Sequence, residues 1–274
     1  MILSISNIAW RPSSRIEVYS YLRKLNINAI EVAPSLLFDS ENDPFHPSDQ
    51  ALKKVFLELK NFDLRIVSMQ SLLFGKKDAL MFGDLSQRRL FMKGMIAAIN
   101  LAERMNIPNI VFGSPLNRNI NNKIEDNAAY DIALETFTEL GAIAASSGTS
   151  ILIEPNPIEY KTNFINTMSE AISFLEILRS PGVKGILDIG SAKMNNEYAD
   201  LTNLVKRSFD HLNHVHISEP YLEPAPSDFL EFKKLYNLLN KLGYKKALSI
   251  EMKSKNIDIR TIKKCLSTIA KINH

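Results

Sequence analysis

Eight short apolar runs alternate with eight segments of helical apolar spacing, and few folds accept that arrangement. The strand-like runs cover 2–10, 28–35, 64–71, 109–115, 151–157, 185–191, 213–219 and 247–253. Helix-period segments fill roughly 13–25, 47–61, 84–106, 127–147, 167–179, 197–208, 227–242 and 257–272. The clearest is 84–106, where Phe91, Met95, Ala98, Ile99, Ala102 and Met105 form a stripe and Asp84 with Gln87 predicts a capping box. Strand followed by helix, repeated with right-handed crossovers, closes into a parallel barrel. The expected fold is therefore α/β, a (β/α)8 TIM barrel forming a single domain over 1–274.

Composition narrows the function classes. With 45% hydrophobic residues among 274, the chain can bury one large core. No apolar stretch is long enough to span a bilayer, and the start MILSISNIAWRP lacks a signal-peptide pattern, so a soluble cytoplasmic protein without membrane partners is expected. Lys and Arg number 33 against 30 acids, a net charge of +3, and the basic residues fall in scattered pairs such as Lys76-Lys77 and Lys263-Lys264. That pattern fits solvated helix faces and argues against a nucleic-acid partner. The single Cys265 lies among Ile262, Leu266 and Ile269, which predicts a buried structural thiol and leaves no disulfide framework. Pairing through the outer helices into a homo-oligomer is compatible with this surface, although no residue compels it.

The last four strand-like runs each end on a residue able to bind a divalent metal. They read ILIEPNP, GILDIGS, NHVHISE and ALSIEMK, with Glu154, Asp188, His216 and Glu251 as the candidate ligands. Their spacings match consecutive βα units, and a barrel aims such strand ends at one point on its C-terminal face. Three carboxylates and an imidazole in one partly desolvated space repel one another unless a cation compensates. One divalent ion, Mn²⁺, Mg²⁺, Co²⁺ or Zn²⁺, is the expected cofactor. Taken singly, each acid has a plainer reading: a neighbouring lysine for Glu154, a helix cap or turn for Asp188, and Lys253 for Glu251. His214 shares the inward face with His216 but lies deeper, and is expected to fill a layer or support the site. His46, His211 and His274 are expected to be structural or exposed.

At these residues the chain resembles the xylose isomerase-like barrels, in particular the sugar epimerase and isomerase branch typified by tagatose/psicose 3-epimerases and hydroxypyruvate isomerases. The match rests on Glu154 in IEPNP, Asp188 in LDIGS, His216 in HVHISE, Glu251 in SIEM and the GSP of NIVFGSP. The resemblance implies a small carbohydrate substrate, enolised next to its carbonyl through an enediolate that the cation stabilises. Glu154 and Glu251, besides holding metal, would serve as the catalytic acid and base. Two positions depart from that branch: Ser191 stands where a substrate-contacting His is usual, and HISEPYLEP has no Arg. Lys193 or Lys253 can supply a lost cation. If both converge with Arg118, a phosphate or carboxylate on the substrate follows. Glu31, Gln70, Asn156, Ser191, Lys193 and Lys253 are thus the candidate substrate-binding residues, with Asn7 and Ser68 also near strand ends. Trp10 and Phe74 can wall a sugar face or simply pack loops.

Other classes remain in view. Keto-inositol dehydration uses similar ligands and proton abstraction but expels a hydroxyl. The endonucleases of the same superfamily need extra histidines for a multi-metal cluster, and this chain offers Gln70, Ser114 and Ser191 at those positions. A sugar-binding barrel without catalysis is the remaining alternative.

Overall fold

A computed structural model describes residues 1–121, 124–253 and 258–273. Residue 257 at the start of the last expected helix, His274, and part of the connection 114–126 lie outside the described residues. Eight parallel strands, β1 (Ile2–Ile5), β2 (Ala29–Val32), β3 (Arg65–Met69), β4 (Asn109–Phe112), β5 (Ser150–Ile153), β6 (Val183–Asp188), β7 (Leu212–Ser218) and β8 (Ala247–Glu251), form one sheet that curls into a barrel. From β2 to β8 each strand pairs with its sequence neighbours, and β8 pairs with β1. Among the described residues, the seam between β1 and β2 carries one backbone bridge, Ser6 with Glu31, and the Asn7 side chain spans it to Ala33.

The outer layer holds α1 (Arg15–Lys24), α2 (Pro34–Leu37), α3 (Asp49–Asn61), α4 (Leu85–Met105), α5 (Asp126–Ser146), α6 (Met168–Leu178), α7 (Ile189–Met194), α8 (Leu201–Ser208), α9 (Phe229–Lys241) and α10 (Ile259–Ala270). Side-chain oxygens start several of these helices by accepting otherwise unpaired N–H groups. Asp84 and Gln87 do form the expected capping box at α4, and Thr167 with Glu170 forms another at α6. Two short helices, α2 and α7, were not expected as separate elements. Each follows directly on a strand: Pro34 starts one and Asp188 caps the other.

The main apolar core lies between sheet and helices. Part of it is a chain of edge-on aromatic contacts, Phe91 to Phe112 to Phe137 to Phe174 to Phe164 to Phe82, with ring centres 5.0–6.0 Å apart. Such contacts add roughly 0.5–1.5 kcal/mol per pair beyond the area they bury. Inside the barrel the packing changes character. Ala29, Val67 and Ala247 form one small cluster and Val111, Leu152 and Ile186 another, while Ser4, Ser6, Glu31, Ser68, His214, His216 and Ser249 are all completely buried. A polar barrel interior is unfavourable unless its groups satisfy one another, so this filling carries the site above it.

Candidate active site and metal centre

Strand register brings the four expected ligands together. Asp188 on β6 lies beside His216 on β7, whereas Glu251 on β8 lies beside Ser218, one inward position higher. Glu154 follows the last residue of β5, and its N–H still bonds Phe112 O at 3.2 Å. Nδ1 of His216 is 3.0 Å from Glu154 Oε1, 3.2 Å from Glu251 Oε2 and 3.4 Å from Asp188 Oδ2. One ligand atom from each of the four residues falls within 4.8 Å of every other.

Two of the candidate ligands are held from behind. Asp188 divides its oxygens: Oδ1 caps α7 by accepting Ser191 N–H at 2.6 Å, and Oδ2 takes Ser218 Oγ–H at 2.7 Å while facing His216. Ser218 Oγ in turn accepts Gly190 N–H at 2.8 Å. Glu154 is steadied by Asn156, whose Nδ2 reaches its carbonyl at 3.1 Å and its Oε2 at 3.3 Å. The same carbonyl accepts Arg118 Nη2–H at 2.7 Å. Arg118 is fully buried against the Phe112 ring, and burial pushes its guanidinium down to about 10 despite Glu154 and Glu170.

The electrostatics describe a centre that needs positive charge. Burial alone depresses the His216 imidazole, yet Glu251, Glu31, Asp188 and Glu154 raise it well above the ordinary histidine value. Burial lifts the Glu251 carboxyl to about 7 against the pull of His216, with Glu154 and Asp188 adding to the rise. Burial also works against Asp188, but His216, Ser191 N–H and Ser218 hold it below the usual carboxylate range. Although His216 Nδ1 and Glu154 Oε1 lie close, neither has a hydrogen bond of proper alignment, and both are buried. Unaligned buried donors and acceptors that converge on a common point fit a cation bound among them. Glu154, Asp188, His216 and Glu251 would hold it through three hard oxygens and one nitrogen.

The expected substrate-binding residues divide. Asn156 and Ser191 adjoin the cluster, Ser191 through its backbone N–H, and both are nearly buried. Glu31 is completely buried beneath His216, and its carboxylate is engaged by Ser68, Gln70 and both histidines. Gln70 likewise spends its amide on Glu31 and Ser6. Lys193 Nζ lies between Glu219 at 2.8 Å and Glu231 at 2.9 Å. Lys253 is exposed beyond the end of β8, and its N–H bonds Leu222 O at 2.8 Å. Lys193, Lys253 and Arg118 thus sit in three separate settings, and the condition for an anionic group on the substrate, their convergence, is not met. Asn7 ties β1 to Ala33, Trp10 packs edge-on against Tyr19, and Phe74 is exposed.

Two residues went unnoticed in the sequence. Ser218 lies two positions after His216, so strand alternation alone places it on the inward face. Tyr160 lies in the loop after β5, where no periodicity operates. Its hydroxyl accepts Tyr221 N–H at 3.1 Å, and burial, reinforced by Asp188, Glu251 and Glu154, lifts the phenol to about 12. The loops after β5, β7 and β8 are therefore laced together above the carboxylates.

A family model described as xylose isomerase-like TIM barrel matches residues 19–270. Among solved structures, 3-keto-D-glucoside 4-epimerase from E. coli superposes with a TM-score of 0.76 at 19% identity, covering 100% of this chain and 99% of that one. D-Psicose 3-epimerase from Clostridium cellulolyticum H10, solved with D-tagatose, gives 0.78 at 15% identity, covering 100% and 98%. These likenesses establish the fold. A ketose 3-epimerase from Arthrobacter globiformis is 29% identical over 85 residues, a stretch covering 31% of this chain and 29% of that enzyme.

Proposed function

Since the chain belongs to the xylose isomerase-like TIM barrel family, we propose that it is a divalent-metal-dependent sugar isomerase or epimerase acting on a carbon next to a carbonyl. The observation that carries this reading is the placement of Glu154 Oε1 and Glu251 Oε2 at 3.0 and 3.2 Å from one imidazole nitrogen, flanking Asp188. Two carboxylates arriving from β5 and β8 converge on the centre, and in this reading a substrate carbon held between them would have a proton acceptor on each side. The bound cation would polarise the carbonyl oxygen and make the neighbouring C–H acidic. Glu154 takes that proton on one side, and Glu251, whose carboxyl burial lifts to about 7, holds or returns one on the other. Asn156 keeps Glu154 aimed, and Tyr160, held by the Tyr221 N–H, lies near the three carboxylates.

The epimerase likenesses favour a ketose or keto-sugar as substrate. Among the described residues, the cluster around Glu154 and Glu251 contains one histidine, which disfavours the multi-metal nuclease reading. Keto-inositol dehydration shares the first proton transfer and differs in the fate of the hydroxyl. Incubation with Mn²⁺ and a panel of ketoses in D2O tests the proposal by NMR or mass spectrometry. Metal-dependent deuterium incorporation is expected, and it should be lost in Glu154→Gln and Glu251→Gln. Absence of exchange with every ketose and ketose phosphate would refute the reading, while exchange accompanied by loss of water would move it to the dehydratase.

A further inference from the structure

We infer that Glu31 is a positioning residue that fixes which nitrogen of His216 faces the metal centre. The inference rests on the reading that Glu154, Asp188, His216 and Glu251 hold the ion.

The geometry around Glu31 is unusually complete. Its Oε2 lies 3.1 Å from His216 Nε2, 3.1 Å from His214 Nε2 and 2.6 Å from Ser68 Oγ. Oε1 accepts Gln70 Nε2–H at 2.7 Å. Gln70 is itself fixed by donating to Ser6 Oγ at 2.9 Å, and Ser68 Oγ also lies 3.3 Å from His214 Nε2. Glu31, Ser6, Ser68, His214 and His216 are all completely buried. A carboxylate has acceptors only, so four groups facing it must each present a proton. Nε2 of His216 therefore carries hydrogen, and Nδ1, which faces Glu154, Asp188 and Glu251, is the nitrogen that would offer its lone pair to an ion once its own proton is displaced. Reversing the tautomer would point a lone pair at the carboxylate and an N–H at the ion.

Glu31, His214 and His216 can also be regarded as a second group of ligand atoms within 4.8 Å. The two sides of His216 differ, however: Nε2 makes an aligned hydrogen bond to Glu31 Oε2 at 3.1 Å, whereas Nδ1 has no aligned partner. The trio is a hydrogen-bonded base for the centre. Partners that hold the far nitrogen of a metal-bound histidine typically affect ion affinity 10–100-fold.

Glu31→Gln tests the point directly. Its amide must direct its NH2 either at Gln70, which already donates there, or at the two Nε2 groups, which forces them to become acceptors. Zn²⁺ alone is the probe, with affinity measured by calorimetry and the ring nitrogens of His216 observed by ¹⁵N NMR on the Zn²⁺-loaded protein. Wild type should show hydrogen on Nε2. The Gln variant should bind Zn²⁺ 10–100-fold more weakly, and Glu31→Asp should recover part of that loss. Wild-type affinity with an unchanged tautomer in Glu31→Gln overturns the inference, even if the melting temperature falls. If the variants fail to fold, the wild-type spectrum decides, since hydrogen on Nδ1 of zinc-loaded His216 also overturns it. A wild-type protein that binds no Zn²⁺ defeats the metal centre itself, an outcome distinct from a Glu31 substitution that changes nothing.

Discussion

A β-carbon placed on Gly113 would come within 2.2 Å of Glu154 Oε2, so the end of β4 is shaped to admit the carboxylate that follows β5. The obstructed atom is the far end of a flexible side chain, which can swing aside at the expense of the site. Gly113→Ala is therefore expected to leave the melting temperature nearly unchanged while weakening Mn²⁺ binding and ketose exchange at least about tenfold, as misplacement by an ångström does in preorganised sites. Equal losses of stability and binding would contradict this separation.

Asp188 caps α7 and is also a proposed metal ligand, and the two contributions can be divided. Asn caps helices about as well as Asp, so Asp188→Asn should retain most of the stability while losing Mn²⁺ affinity. Asp188→Ala loses both, with an additional cost of about 0.5–2 kcal/mol from the missing cap. Chemical denaturation of the two variants without metal checks the difference.

Proton linkage predicts the direction of the pH dependence. The folded Glu251 carboxyl, lifted to about 7, keeps a proton that the unfolded chain has already released, and His216 behaves in the same sense well above the ordinary imidazole value. Stability of the metal-free protein from both groups is present at about pH 5 and is lost as pH rises toward and beyond 7. Glu31 and Asp188 act oppositely: their contribution is present above the usual carboxylate range and lost on acidification. A divalent ion must displace the protons on Glu251 and His216, so the melting-temperature gain from Mn²⁺ should grow between pH 5.5 and 8. A gain independent of pH would contradict the assignment.

Lys193 is a structural cation on this geometry. Partial exposure limits its ion pairs with Glu219 and Glu231 to about 1 kcal/mol. Lys193→Met should lower stability by about that amount and leave the preference between a ketose and its phosphate unchanged. A selective loss of the phosphorylated substrate would return Lys193 to the binding site.

Much of the fold was legible because barrel strands alternate with amphipathic helices over the whole chain. Glu154, Asp188, His216 and Glu251 were legible for a related reason: each ends an apolar run, where a charge has no ordinary partner. Depth inside the barrel was not legible. Alternation says that Glu31 and Gln70 face inward, but only the stagger between strands puts Glu31 beside Ser68 on β3 and beneath His216 on β7. The partners of Lys193 were hidden for another reason. Glu219 and Glu231 come from two different later segments, and nothing local in the sequence brings them to one amine.

The thin seam between β1 and β2 acquires a meaning from what closes it. Its one bridge joins Ser6 to Glu31, and Glu31 also underpins His216. A metal ion drawn to His216 would thus act as the clasp of the whole hoop, pulling on the residue where the circle of strands is weakest. Occupancy of the centre and firmness of this seam would then be coupled through one carboxylate.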